Sequence, residues 1–148
     1  MSSHSFPTRR SSDLPEADAE VHAQEAAGNA VLQDLFHDLL DALVARDLLK
    51  ALETGEAVAD LKVREQQKTF CRLASEDLRR IFMLQKSASL ARLPQGQEDY
   101  FKRMAGALKP TFPRKALESL DRALLLLERN VNQKILFTDM VNQLYNTL

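Results

Sequence analysis

Apolar residues recur along most of this chain at three- and four-residue spacing, and short polar or Gly/Pro-bearing stretches interrupt them. From Ala30 the pattern is clear: Val31, Leu32, Leu35, Phe36, Leu39, Leu40 and Leu43 alternate with Gln33, Asp34, His37, Asp38 and Asp41. That is an amphipathic helix with one broad buried stripe. Leu48, Leu49 and Leu52 make a shorter set that is expected to end near Thr54-Gly55. A long helix is expected over about Asp60 to Leu84, with Phe70, Leu73, Ala74, Leu78, Ile81 and Phe82 inward. Its outer face is charged, and Arg72–Glu76 and Glu76–Arg80 have i,i+4 spacing. Ser87 to Gly96, with Pro94-Gln95-Gly96, reads as a loop.

Gln97 to Leu108 reads as a helix with Tyr100, Phe101, Met104 and Leu108 inward, broken by Lys109-Pro110-Thr111. Pro113 then suits the first turn of the next helix, where its missing N–H costs nothing. That helix carries Leu117, Leu120, Leu124 and Leu127 on one face, widened by Leu125 and Leu126. A helix apolar over so much of its circumference is deeply buried or faces a partner. Asn130-Val131-Asn132 reads as a turn whose second Asn caps a last helix. This helix runs from Gln133 to about Asn146 and buries Ile135, Leu136, Met140, Val141 and Leu144. No segment alternates long enough for a strand. Five to seven helices with short connections predict an all-α fold, an antiparallel helical bundle.

The N-terminal end differs. Met1–Leu14 shows no helical or strand period and is expected to be disordered. Its string HSFPTRRSSDL, from His4 to Leu14, resembles one reading frame of a sequencing adapter and is set aside as an artefact. Residues 15–29, Ala- and Glu-rich up to a break at Gly28-Asn29, are expected to be a linker or the helical end of a missing upstream region. Residues 30–148 form the expected helical domain.

Composition narrows the chemistry. With 20 basic and 21 acidic residues, the net charge of −1 gives no field that demands a nucleic acid or a membrane surface. One cysteine, Cys71, cannot make an internal disulfide, which fits a reducing cytoplasm. No apolar run is long enough to span a bilayer, and neither a Walker-type glycine loop nor a Gly-x-Ser-x-Gly elbow occurs. Asp34 and His37 have the i,i+3 spacing of a bundle metal site, but no second such pair is placed to complete it. They are read, with Asp38 and Asp41, as a solvated helix face. Cys71 flanks the apolar face of its helix and is read as a core thiol. Arg72, Arg79, Arg80, Lys86 and Arg92 are read as solvated, because Glu76 and Asp77 interrupt them.

Three stretches carry a resemblance. Leu120-Asp121-Arg122-Ala123, Leu127 to Asn132 and Lys134-Ile135-Leu136-Phe137 together resemble the end of DNA polymerase III delta-prime subunits, which close with a helix, an Asn-x-Asn turn and a final helix. Arg64 to Phe70, REQQKTF, resembles a stretch of delta-prime chains of the Bacteroidetes group. Leu35-Phe36-x-x-Leu39-Leu40 resembles the opening of the same domain. The order is that of the family, over Leu32 to Leu148. Gln133 departs from it, since Pro or Ala is commoner there, and so does Ala51–Lys62.

The resemblance implies a helical collar domain of a clamp-loader subunit, which associates with the delta and gamma/tau subunits to support sliding-clamp loading in DNA replication. It implies a scaffold rather than an enzyme, since the ATPase-type module of such subunits is not in this chain. No cofactor, membrane or direct nucleic-acid contact is expected. The structural and interface candidates are Leu117, Leu120, Leu124, Leu127, Asn130, Asn132, Ile135, Leu136 and Phe137; no catalytic, cofactor-binding or metal residue is assigned. The other readings are a free-standing helical adaptor with an unknown partner, the collar domain of another clamp-loader subunit, and a bundle metalloenzyme built on Asp34 and His37.

Overall fold

A computed structural model describes residues 5–89 and 91–148, with side chains from 19 onward. It is all-α, with no strand among the described residues. Six helices follow in order: α1 (Ser5–Val44), α2 (Leu48–Ala59), α3 (Arg64–Lys86), α4 (Glu98–Ala107), α5 (Phe112–Leu127) and α6 (Gln133–Asn146). Residues 1–4, the start of the stretch set aside as an artefact, lie outside the described residues.

The chain divides into two compact units, Met1–Val31 and Leu32–Leu148. In the first, residues 19–31 are exposed on every side, as an Ala/Glu-rich segment without an apolar stripe must be. Two expectations are corrected here. The stretch from Ser5 to Leu14 belongs to α1 rather than being disordered, and α1 runs through Gly28-Asn29 without a break. Glycine inside a helix costs only about 1 kcal/mol relative to alanine, and the Ala, Glu and Gln residues around Gly28 are good helix formers. Val31, placed on the buried stripe from its spacing, is 59% exposed.

The second unit is an antiparallel helical bundle. Helix α3 packs against α4 and α5, α2 packs against α6, and α5 against α6. The apolar stripe of α1 delivers Phe36, Leu39, Leu40 and Leu43 to the core, where Phe36 meets Phe70 of α3 edge to face at 6.0 Å. Phe70, Cys71, Ala74, Leu78 and Ile81 line the inner side of α3. Leu73 and Phe82 stay half-buried at its margins, Phe82 beneath the Lys86 ammonium at 5.2 Å.

Short, specific connections fix the angles between helices. Helix α1 stops through hydrogen bonds from Arg46 N to Leu43 O and from Asp47 N to Ala42 O. This is the paired closure in which the residue after the cap adopts left-handed geometry, and Arg46 takes that place with φ 59°. Asp47 immediately caps α2, accepting from Lys50 N at 3.1 Å. Pro94-Gln95-Gly96-Gln97 closes a turn with Gly96 at φ 84°, a position that favours glycine.

Helix α2 does not end at Thr54-Gly55 as its sequence predicts; it continues to Ala59. Gly55 is buried, and a Cβ there would sit 2.7 Å from Val141 Cγ2 and 3.4 Å from Phe137 O. The glycine is a contact point that lets α2 lie close on α6, not a helix terminator.

Candidate functional site

Two of the stretches singled out in the sequence meet at one end of the second unit. Helices α5 and α6 form a hairpin closed by residues 128–132, and the start of α3 lies against that turn. Lys68 Nζ is 2.8 Å from Glu128 Oε1 at the end of α5. Gln67, fully buried, donates from Nε2 to Gln133 Oε1 at 3.2 Å. Each contact joins a residue of Arg64–Phe70 to one of the α5–α6 region.

Gln67 does more than join two segments. Its Nε2 also donates to Val58 O at 3.3 Å and Ala59 O at 3.1 Å. The last carbonyls of a helix have no partner within it, and here a side chain of α3 supplies one for α2. Gln85, near the other end of α3, repeats the device for α4, donating to Ala105 O at 3.2 Å and Leu108 O at 2.9 Å. Gln133 is therefore a specific acceptor for Gln67.

The candidate interface residues separate into two groups. Leu120, Leu127, Leu136 and Phe137 are buried in the core, Phe137 completely, and are closed to a partner. Leu117 and Leu124 are half-buried on the side of α5, while Asn130 and Asn132 are exposed in the turn. Asn132 caps α6, its Oδ1 accepting from Ile135 N at 3.0 Å. Ile135, expected among the buried positions of α6, is instead 68% exposed, as is Leu125. Each points away from the core on its own helix. Leu125 lies close to the end of α5 and Ile135 close to the start of α6, so both stand at the turn end of the hairpin. Ser119, Arg122, Leu126, Leu136, Asp139 and Gln143 line a shallow groove between the two helices.

The Lys68–Glu128 pair is the electrostatic feature of this end. The ammonium hydrogen-bonded to Glu128 holds that carboxyl below the usual carboxylate range, with Arg64 and Arg72 adding to the effect. The reciprocal bond raises Lys68 above the usual lysine range.

A second polar cluster was not legible in the sequence. Asp77, assigned to the solvated face of α3, is completely buried. Its carboxylate pairs with Arg80 Nη1 at 2.7 Å and with His37 Nε2 of α1 at 3.0 Å, and it accepts from Gln33 Nε2 at 3.4 Å. Arg80 turns to Asp77, and the i,i+4 pairs through Glu76 do not form. The His37 ring stacks on Tyr100 of α4 with centroids 4.2 Å apart, and the Tyr100 hydroxyl donates to His37 O at 3.3 Å. Burial, followed by the Asp41 carboxylate, pushes the Tyr100 phenol up, so it stays neutral. The signal for Asp77 lay in its register, since it shares its face of α3 with Phe70, Ala74 and Ile81.

His37 is thus committed to Asp77, and Asp34 is exposed. Among the described residues no group of three or more His, Cys, Asp or Glu side chains is arranged to hold a metal ion. Cys71 is fully buried, and burial pushes its thiol up to about 12. Among the described residues no helix is long and apolar enough to cross a membrane. In comparisons with known proteins, no family model, no curated protein and no solved structure matches the chain.

Proposed function

We propose that the chain is a collar-type oligomerisation domain of a DNA polymerase III clamp-loader subunit, of the delta-prime kind. The observation that carries this reading is the meeting of the resembling stretches. Arg64–Phe70 and Leu127–Asn132 are distant in sequence, and they join through Lys68–Glu128. The contact sets two of the three resembling stretches side by side, as parts of one domain would be.

The mechanism is scaffolding. The buried leucines of α5 and α6 hold the hairpin rigid, and its turn end presents Leu125 and Ile135 with half-buried Leu124 and Leu126 to a partner. Apolar anchors on a preformed surface contribute most of the energy of an interface, and a polar rim sets its register. The partners are the delta and gamma/tau subunits of the same loader, in the cytoplasm. The domain itself carries out no reaction. The test is the pair of variants Leu125→Asp and Ile135→Asp, each expected to weaken binding to those subunits at least tenfold while leaving the melting temperature of the chain nearly unchanged. Unchanged binding would remove this face from the interface.

A further inference from the structure

The outer face of α3 carries Arg72, Arg79 and Lys86 at seven-residue intervals, all exposed. Two helical turns separate each from the next, about 10.5 Å at 1.5 Å per residue. None of the three makes an ion pair among the described residues. The outer face of α1 carries the opposite charge: Asp34 and Asp38, about one helical turn apart, are exposed and without an ion pair among the described residues, whereas Asp41 pairs with Arg103 at 3.6 Å.

We infer that these two faces are the halves of one contact between two copies of this chain, with α1 of each laid against α3 of the other. Charge complementarity selects a helix over a nucleic acid as the occupant of the α3 stripe. Glu76 stands among the cations, and Met83 is 37% exposed beside them. A dense row of phosphates would be repelled by Glu76 and would gain nothing from Met83, whereas a helix offers carboxylates only at discrete positions. The seven-residue interval on α3 suits a helix laid along it, because a stripe of that period drifts only about 20° per repeat. A two-fold arrangement uses each face once per subunit and closes at two. Exposed ion pairs are individually weak, so the dimer is weak and salt-sensitive.

The experiment is sedimentation equilibrium of the full chain at about 10 mM ionic strength, where the screening length is about 30 Å. The mass is expected to rise from 16.7 kDa toward twice that value with concentration, and to return to the monomer in about 0.5 M salt, where screening acts within a few ångströms. Asp34→Lys with Asp38→Lys is expected to be monomeric, and so is Arg72→Glu with Arg79→Glu. An equimolar mixture of the two double variants restores the dimer, since each face then meets its opposite. A monomeric wild type, a mixture that stays monomeric, or a dimer that survives either double variant would each overturn the inference. Association of the wild type with a short DNA duplex in place of self-association would overturn it in favour of phosphate binding.

Discussion

The Gln67 side chain, wholly buried, donates to Gln133 Oε1 at 3.2 Å while also holding the last carbonyls of α2. One amide thereby ties the end of α2, the start of α3 and the start of α6 into a single node. A buried carbonyl left without its donor costs about 1–3 kcal/mol. Gln67→Leu keeps the volume and loses both carbonyl bonds, and is expected to lower stability by about 2 kcal/mol in urea denaturation. Gln133→Ala removes one acceptor from a partly exposed position and is expected to cost about 1 kcal/mol or less.

Glycine positions give opposite signs. Gly55→Ala drives a methyl to within 2.7 Å of Val141, and such overpacking costs about 1–3 kcal/mol, more than the roughly 1 kcal/mol that alanine gains in a helix. Gly106 in α4 has open space where a Cβ would go, so Gly106→Ala is expected to raise stability by up to about 1 kcal/mol. Thermal denaturation of the two variants reads the contrast directly.

Arg46 holds a left-handed conformation at the close of α1. For a residue with a Cβ this costs about 1–2 kcal/mol. Arg46→Gly is therefore expected to stabilise the chain by about 1 kcal/mol, less than the full amount because glycine is freer in the unfolded chain. A lower denaturation midpoint for the glycine variant would show that the arginine side chain contributes more than its strain.

The Lys68–Glu128 pair imposes a pH dependence with a defined sign. The folded Glu128 carboxyl lies below its ordinary range. Its contribution is present above the unfolded carboxylate range and is lost as pH falls through the folded value. The folded Lys68 lies above its ordinary range, so its contribution is complete at neutral pH and is lost only as strongly alkaline pH passes the folded value. Wild type and Lys68→Met are expected to differ in stability near neutrality and to converge toward acid pH. Because Glu128 is exposed, the difference is small and falls with added salt.

Asp77 is expected to matter more than any surface pair. Asp77→Ala leaves Arg80 and His37 without their common carboxylate. Breaking a buried pair costs about 3–5 kcal/mol. Here about 2 kcal/mol is expected, because the Arg80 and His37 side chains reach solvent, at 29% and 17% exposure. Calorimetry of Asp77→Ala and Asp77→Asn separates loss of charge from loss of the hydrogen bonds.

Periodicity made the helices legible because each buries one stripe: α4, α5 and α6 fall within a residue or two of their predicted ranges. Capping was equally readable at Asn132, and Pro113 falls in the first turn of α5. Long-range pairing was hidden. Nothing local distinguishes Gly55, which terminates nothing and admits α6, from a C-terminal glycine. Asp77 shares the register of Phe70, Ala74 and Ile81, but nothing local names His37, 40 residues away, as its partner. Leu125 and Ile135 share the apolar character of their core neighbours, and only the rotation of each helix against the bundle decides which side faces water. The role of Gln67 was invisible for the same reason: its three acceptors lie on other helices.

The proposed collar role is tested most directly by mixing the purified chain with clamp-loader delta and gamma/tau subunits from the same source at micromolar concentration and following sedimentation velocity. The account predicts a faster-sedimenting complex that contains the chain and is lost in the Leu125→Asp, Ile135→Asp double variant. A chain that sediments alone beside those subunits would contradict the collar reading and leave an adaptor for a different partner.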